Sequence, residues 1–292
     1  MSGAGWAALS GVGFGLFQAL NAKAVRGLDS VYTSTFLQLL VAAVILAAAA
    51  AGTEDLGTLG DISAWGIAAF GLAGMIHFFV GWTTLNLSQS RIGAARTSPL
   101  LSTTPLFGLA FGAAAAGQVP GPLAAAGIAL TIGGAYLVAD PGGGERARLG
   151  DSGFALITAC AWSLSAIFTL EGLNELDSPL IGVTIGMLAA ALAYGIPLAL
   201  FPARLRVSAQ AWDALVLKLA AGVVVALATW GRWVALDDVA VAAVLALNLL
   251  SVPVVLLVAP MISGRHVEVV TANIWGGAAL VMLGSLLLIV HE

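Results

Sequence analysis

Long apolar runs, separated by short polar or glycine-containing breaks, set the pattern of this chain. They fall at about 5–22, 31–51, 64–85, 92–116 and 121–139, and again at 152–170, 179–201, 212–236, 239–262 and 269–290. A helix crosses the apolar core of a bilayer with about 20 residues, so each run is read as one spanning helix. The first run is followed, not preceded, by Lys23 and Arg26 and carries no small-residue cleavage pattern. It therefore reads as a retained helix and not as a signal peptide. Between the two groups of five lies the segment 140–150, DPGGGERARLG, which is glycine-rich and charged and reads as a flexible connection. The expected architecture is an all-α membrane protein with ten transmembrane helices: five in 1–139, a linker at 140–150, and five in 151–292.

The two groups align without a gap at a constant offset of 148 residues. The offset pairs Gly5 with Gly153, Leu16 with Leu164, Asp29-Ser30 with Asp177-Ser178, Gly74 with Gly222, Trp82 with Trp230 and Pro105 with Pro253. Alanine, leucine and glycine coincide easily in apolar sequence, so the Asp-Ser, Trp and Pro matches carry the inference of an internal duplication. Each copy holds an odd number of spans, so the second must enter the membrane from the opposite side. This is the inverted repeat common in secondary transporters.

Composition agrees with a membrane protein. The chain is 60% hydrophobic and 9% charged, with 11 basic and 15 acidic residues, whereas soluble domains carry about 25% charged residues. A net charge of −4 excludes a nucleic-acid binder built on a basic face. The single cysteine, Cys160, excludes a disulfide framework and a cysteine metal cluster. Basic residues divide sharply between loops. Lys23, Arg26, Arg91, Arg146, Arg148, Arg204, Arg206 and Arg265 follow odd-numbered spans, while the loops after even-numbered spans hold Glu54, Asp55, Asp61, Glu175, Asp177, Asp237 and Asp238. By the positive-inside rule both termini lie outside the cytoplasm of a multi-pass inner (plasma) membrane protein.

The fourth span of each group runs through small residues to a proline: RIGAARTSPLLSTTP at 91–105 and VAVAAVLALNLLSVP at 239–253. With ten helices in two inverted sets, this pattern resembles the drug/metabolite transporter superfamily, in particular its EamA-type members. The resemblance covers nearly the whole chain and implies a transporter of small molecules, with export of amino acids and related metabolites among the activities it allows. Two features depart from relatives. Gln118 and His266 stand where many relatives carry an acidic residue after the fourth span, and relatives are often placed with both termini in the cytoplasm.

Polar residues inside spans are expensive and point to a cavity or a partner. His77 in the third span is read either as a hydrogen-bonded structural imidazole or as a proton-responsive or substrate-contacting group. Arg96 either snorkels to the interface or binds an anion. Arg232, in Trp230-Gly231-Arg232-Trp233, belongs either to an interfacial aromatic belt or to an aromatic-walled pocket for a carboxylate. Lys218 is expected to snorkel. Gln18, Asn21, Asn86 and Asn248 either line a path or bridge helices. The expected substrate-binding set is His77, Trp82, Arg96, Trp230, Arg232, Asn248, Gln18, Asn21 and Trp162. The pair Gly108 and Gly112 is expected to serve close helix packing, and Pro99, Pro105 and Pro253 to kink their helices.

No Walker A loop, HExxH helix or nucleophile elbow occurs, and no cofactor or metal is expected. The leading expectation is a secondary transporter, an exporter of small zwitterionic or anionic metabolites such as amino acids. It would work by alternating access, with a proton or counter-substrate as a possible coupled species. An intramembrane enzyme acting on lipids and a passive channel or scaffold are the alternatives.

Overall fold

The computed structural model describes residues 1–116, 121–139, 149–200, 211–239 and 241–291. Among these residues all regular structure is helical. The helices are α1 (Gly3–Arg26), α2 (Val31–Thr53), α3 (Ala64–Gly74), α4 (Trp82–Ile92), α5 (Ala94–Leu101), α6 (Thr104–Ala116) and α7 (Pro122–Ala139). Then follow α8 (Leu149–Leu173), α9 (Pro179–Leu200), α10 (Trp212–Asp238), α11 (Val241–Asn248), α12 (Ser251–Ser263) and α13 (Ala272–His291). A π-helical segment, Met75–Gly81, joins α3 to α4, making one rod of 29 residues from Ala64 to Ile92. Among the described residues eight helices are long and apolar enough to cross a membrane, so the protein is a multi-pass membrane protein. The two other apolar runs are α1, which buries Ser10, Gln18 and Asn21, and the broken pair α5–α6. Leu188, Leu192 and Ile196 stand a turn apart on α9, each more than half exposed. Such an apolar outer face suits lipid and not water.

Several expected boundaries move. The first helix continues to Arg26, so Lys23 and Arg26 form its last turn and complement its carbonyl end. The third span runs to Ile92 and not to Leu85, which places Asn86 inside it. The fourth and ninth spans are each broken, and the prolines explain where. A proline ring clashes with the carbonyl four residues back, which for Pro105 is Leu101, the last residue of α5, and for Pro253 is Leu249, in the gap after α11. Both gaps tighten into the same turn: Ser102 N–H donates to the Pro99 carbonyl and Leu250 N–H to the Leu247 carbonyl, each at 3.1 Å. The expected linker lies outside the described residues over 140–148, and α8 already begins at Leu149. Gln118, Arg146, Arg148, Arg204 and Arg206 also lie outside them.

Matched positions of the two halves do the same local work. Ser30 and Ser178 each cap a helix, accepting from the N–H of Thr33 and of Ile181 at 3.2 Å. Packing partners recur when the halves are exchanged. α1 lies along α10 as α8 lies along the α3–α4 rod; α10 packs on α2 as α3 packs on α9; α2 meets α9, and α7 lies along α13. Small residues set the closest crossings. A Cβ on Gly74 would fall 2.1 Å from the Gly186 carbonyl oxygen, and one on Gly222 would fall 3.1 Å from the Gln38 carbonyl oxygen. Of the expected glycine pair, Gly108 faces Ser163 while Gly112 faces open space.

The bundle has two chemically distinct ends. At the basic end, Arg26, Arg91 and Lys23 meet Glu268, Asp151 and the Ile262 carbonyl. At the acidic end, Ser178 donates to Glu54 at 2.8 Å, and Gly3 packs against Asp238.

Candidate functional site

His77 sits within the π-helical segment, where an extra residue per turn alters the facing of its side chains. The same segment shifts the packing of its rod by one residue. Ser10 of α1 donates to the Ala228 carbonyl at 2.8 Å, whereas Thr158 of α8, its partner at the 148-residue offset, reaches the Gly81 carbonyl at 3.3 Å instead of Val80. The His77 ring stacks on Trp162 at 5.3 Å and 13°, meets Phe78 edge-on at 4.7 Å, and pairs its Nδ1 with Ser165 Oγ at 3.0 Å. Trp162 fits because position 81 is glycine: a Cβ there would stand 2.7 Å from its Nε1. Two of the expected residues, His77 and Trp162, thus come together from separated stretches of sequence.

Buried polar atoms normally have partners, and those that lack them call for an explanation. Arg232 Nε, Trp162 Nε1, Gln18 Oε1 and Asn248 Oδ1 are buried without a hydrogen-bond partner. They lie on α10, α8, α1 and α11, of which α1 packs against both α10 and α11. Asn248 ends α11 beside α1, whose Gly11 closes on the Leu247 carbonyl and the Asn248 backbone. Two of the atoms donate and two accept.

The remaining expected residues fall elsewhere. Trp82 is a core side chain, its ring 6.4 Å from Phe17 and 5.0 Å from Phe78. Trp230 packs at the edge of the same core, and the side chain of Trp233 lies outside the described part of the structure. Arg96 is half-buried near the start of α5, with no hydrogen bond or ion pair to another described residue. It is therefore two residues into its helix, not five as the sequence suggested.

Lys218 contradicts the expectation that it snorkels. Its side chain is wholly buried, and its ammonium donates to Asn21 Oδ1 and, at 2.6 Å, to Asn86 Oδ1. Asn21 Nδ2 in turn donates to Asn86 Oδ1 at 3.0 Å and to Gln89 Oε1 at 2.6 Å. Snorkelling fails because α1 and α4 cover this face of α10 and offer the ammonium acceptors where it stands. Glu268 was also not singled out in the sequence. Its buried carboxylate accepts from Arg26 Nη1 at 2.8 Å and from the N–H groups of Ala94 and Ala95 at 3.1 and 3.0 Å. It thereby caps α5 and ties it to the end of α1.

Residues 1–139 match the EamA-like transporter family. The match spans the first half of the chain and is consistent with the drug/metabolite transporter superfamily. A solved structure described as "Crystal structure of protein" is 19% identical, with a TM-score of 0.57, covering 96% of this chain and 95% of that one. At that identity the likeness concerns the fold. No curated protein matches the sequence. Among the described residues no group of His, Cys, Asp and Glu is placed to hold a metal ion.

Proposed function

We propose that this protein is a secondary transporter, and specifically an exporter, of small zwitterionic or anionic metabolites such as amino acids. Alternating access between two inverted five-helix repeats would carry the cargo. The observation that carries the reading is the set of four buried, unpartnered polar atoms, Arg232 Nε, Trp162 Nε1, Gln18 Oε1 and Asn248 Oδ1. Donors suit a carboxylate and acceptors suit an ammonium, so together they match the two ends of an amino acid. The stacked His77 and Trp162 rings offer an aromatic wall for the cargo's apolar part.

The repeat reading is supported by the paired packing of helices, by the equivalent proline breaks and by the equivalent serine caps. In this reading the contacts at the basic end would serve as its closure: Arg26, Glu268 and the start of α5 as an outer layer, and the Lys218 cluster as an inner one. Loop charge favours that end as the cytoplasmic one, with both termini outside the cytoplasm.

Counterflow in proteoliposomes tests the function. Vesicles preloaded with unlabelled phenylalanine, glutamate, lysine or citrate are diluted into the matching labelled compound. Saturable accumulation of a zwitterionic or anionic compound, absent from protein-free vesicles, is the expected result. Equilibration without saturation would point to a channel, and no flux of any compound would remove the transport reading for these cargoes.

A further inference from the structure

We propose that the cluster around Lys218 is an anion subsite, which takes a small monovalent anionic group: a carboxylate or an inorganic halide. The inference rests on the transport reading for its role in a cycle but not for the binding itself.

The ammonium of Lys218 is fully buried and bonded only to the neutral amide oxygens of Asn21 and Asn86. Those bonds leave one of its three N–H donors over. No described carboxylate forms an ion pair with it: Glu268 is engaged by Arg26, and Asp151 by Arg91. The other ionisable groups on elements packed around α10 are also engaged. Lys23 is held by the Ile262 carbonyl, and the Tyr194 hydroxyl by Thr83 and the Phe79 carbonyl. α11 carries no ionisable residue.

Within the same bonded cluster, the Gln89 amide accepts through Oε1, yet its Nε2 is buried with no partner. α2 adds further polar atoms without partners. Gly222 of α10 packs on Gln38 of α2, and one turn back along each helix stand Lys218 and Ser34. Ser34 Oγ and both Nε2 and Oε1 of Gln38 are likewise buried and unpartnered. An anion bound here would hold Lys218 in its charged form, supply the counter-charge that no described residue provides, and accept the spare N–H groups of Lys218 and Gln89. A single bound water would satisfy donors but leave the charge unbalanced.

Lys218 and Arg232 lie on the same helix, 14 residues apart, or about 21 Å at 1.5 Å per residue. If the anionic group is the cargo's carboxylate, the helix offers it one cationic station toward each end of the bundle.

Thermal melting of the purified full chain in detergent tests the subsite. Chloride or acetate is titrated in place of the bulky anion gluconate at constant ionic strength. The expected result is a saturable rise in melting temperature in the parent, lost in Lys218→Met and reduced at least tenfold in apparent affinity in Gln89→Leu, which keeps the ammonium. Gln89→Leu decides the matter if Lys218→Met does not fold. A response to chloride with none to acetate identifies a halide site. A response to acetate that chloride displaces competitively identifies a carboxylate site. A parent indifferent to both anions, or variants that respond as the parent does, overturns the proposal and leaves Lys218 as a structural tie between α1, α4 and α10. The melting assay needs no cargo, so absent counterflow would count against transport and not against the subsite.

Discussion

The tie at the basic end gives a quantitative test of the proposed closure of that end. Glu268 is the centre: one carboxylate, 1% exposed, takes a guanidinium N–H at 2.8 Å and two backbone N–H groups at 3.1 and 3.0 Å. Glu268→Gln keeps the shape but removes the charge and turns one acceptor into a donor facing N–H groups. Hydrogen bonds to a charged partner contribute about 1.5–3 kcal/mol, and a lost helix cap costs about 0.5–2 kcal/mol. Because the Gln amide oxygen still accepts one N–H, the closed arrangement should lose less than the full sum, about 2–4 kcal/mol. With 1.4 kcal/mol per factor of ten, that is on the order of thirtyfold to several hundredfold in the balance between closed and open. The readout is maleimide labelling of a cysteine at Ala22, which is wholly buried beneath the tie, in a Cys160→Ala background. The variant should label at least tenfold faster. Arg26→Gln should act in the same direction but less strongly, because it leaves the cap intact. The double variant should fall well short of additivity, since both single changes break the same ion pair. Unchanged labelling in folded Glu268→Gln, or fully additive effects, would refute the reasoning.

Three further outcomes are expected. Gly74→Leu should prevent assembly, because even a Cβ would sit 2.1 Å from the Gly186 carbonyl oxygen; loss of the monodisperse peak in size-exclusion chromatography checks it, and a parent-like profile would contradict the crossing. Arg232→Gln should weaken binding of a carboxylate-bearing cargo by about 1.5–3 kcal/mol, roughly tenfold to a hundredfold, with little change in melting temperature, because the lost Nε–H has no partner in the protein. Fusions to Glu292 should give an active periplasmic phosphatase and a dark fluorescent protein; the reverse result would turn the protein over in the membrane without altering its fold.

Most of the architecture is legible from the chain because its causes are local or periodic. Apolar runs of spanning length, the Ser30 and Ser178 caps and the Pro105 and Pro253 breaks follow from the residues at hand. The shifts in boundary have equally local causes: a helix can continue through Lys23 and Arg26 because basic residues suit its last turn. The π-helical segment is different. Its sequence, MIHFFVG, carries no mark that separates it from ordinary helix, and the gapless offset runs straight through it. It becomes visible only in the one-residue difference between the contacts of Ser10 and Thr158.

The site was legible in its parts and not in its groupings. An ionisable side chain in an apolar run announces a cost, but whether that cost is met by the interface or by neighbours depends on which helices cover it. For Lys218, position along α10 favoured an escape to the membrane surface; α1 and α4 close that route and supply Asn21 and Asn86 instead. Glu268 lies in a loop and drew no notice in the sequence, yet the start of α5 folds over it. Its burial depends on Gly93, whose φ of 81° is poorly tolerated by other residues and where a Cβ would stand 2.5 Å from Glu268 Oε2. A glycine 175 residues upstream thus makes room for that carboxylate. Pairings at such range arise when helices pack, and the residues that matter most to a transport path are therefore those whose type could be read in the sequence before their partners could.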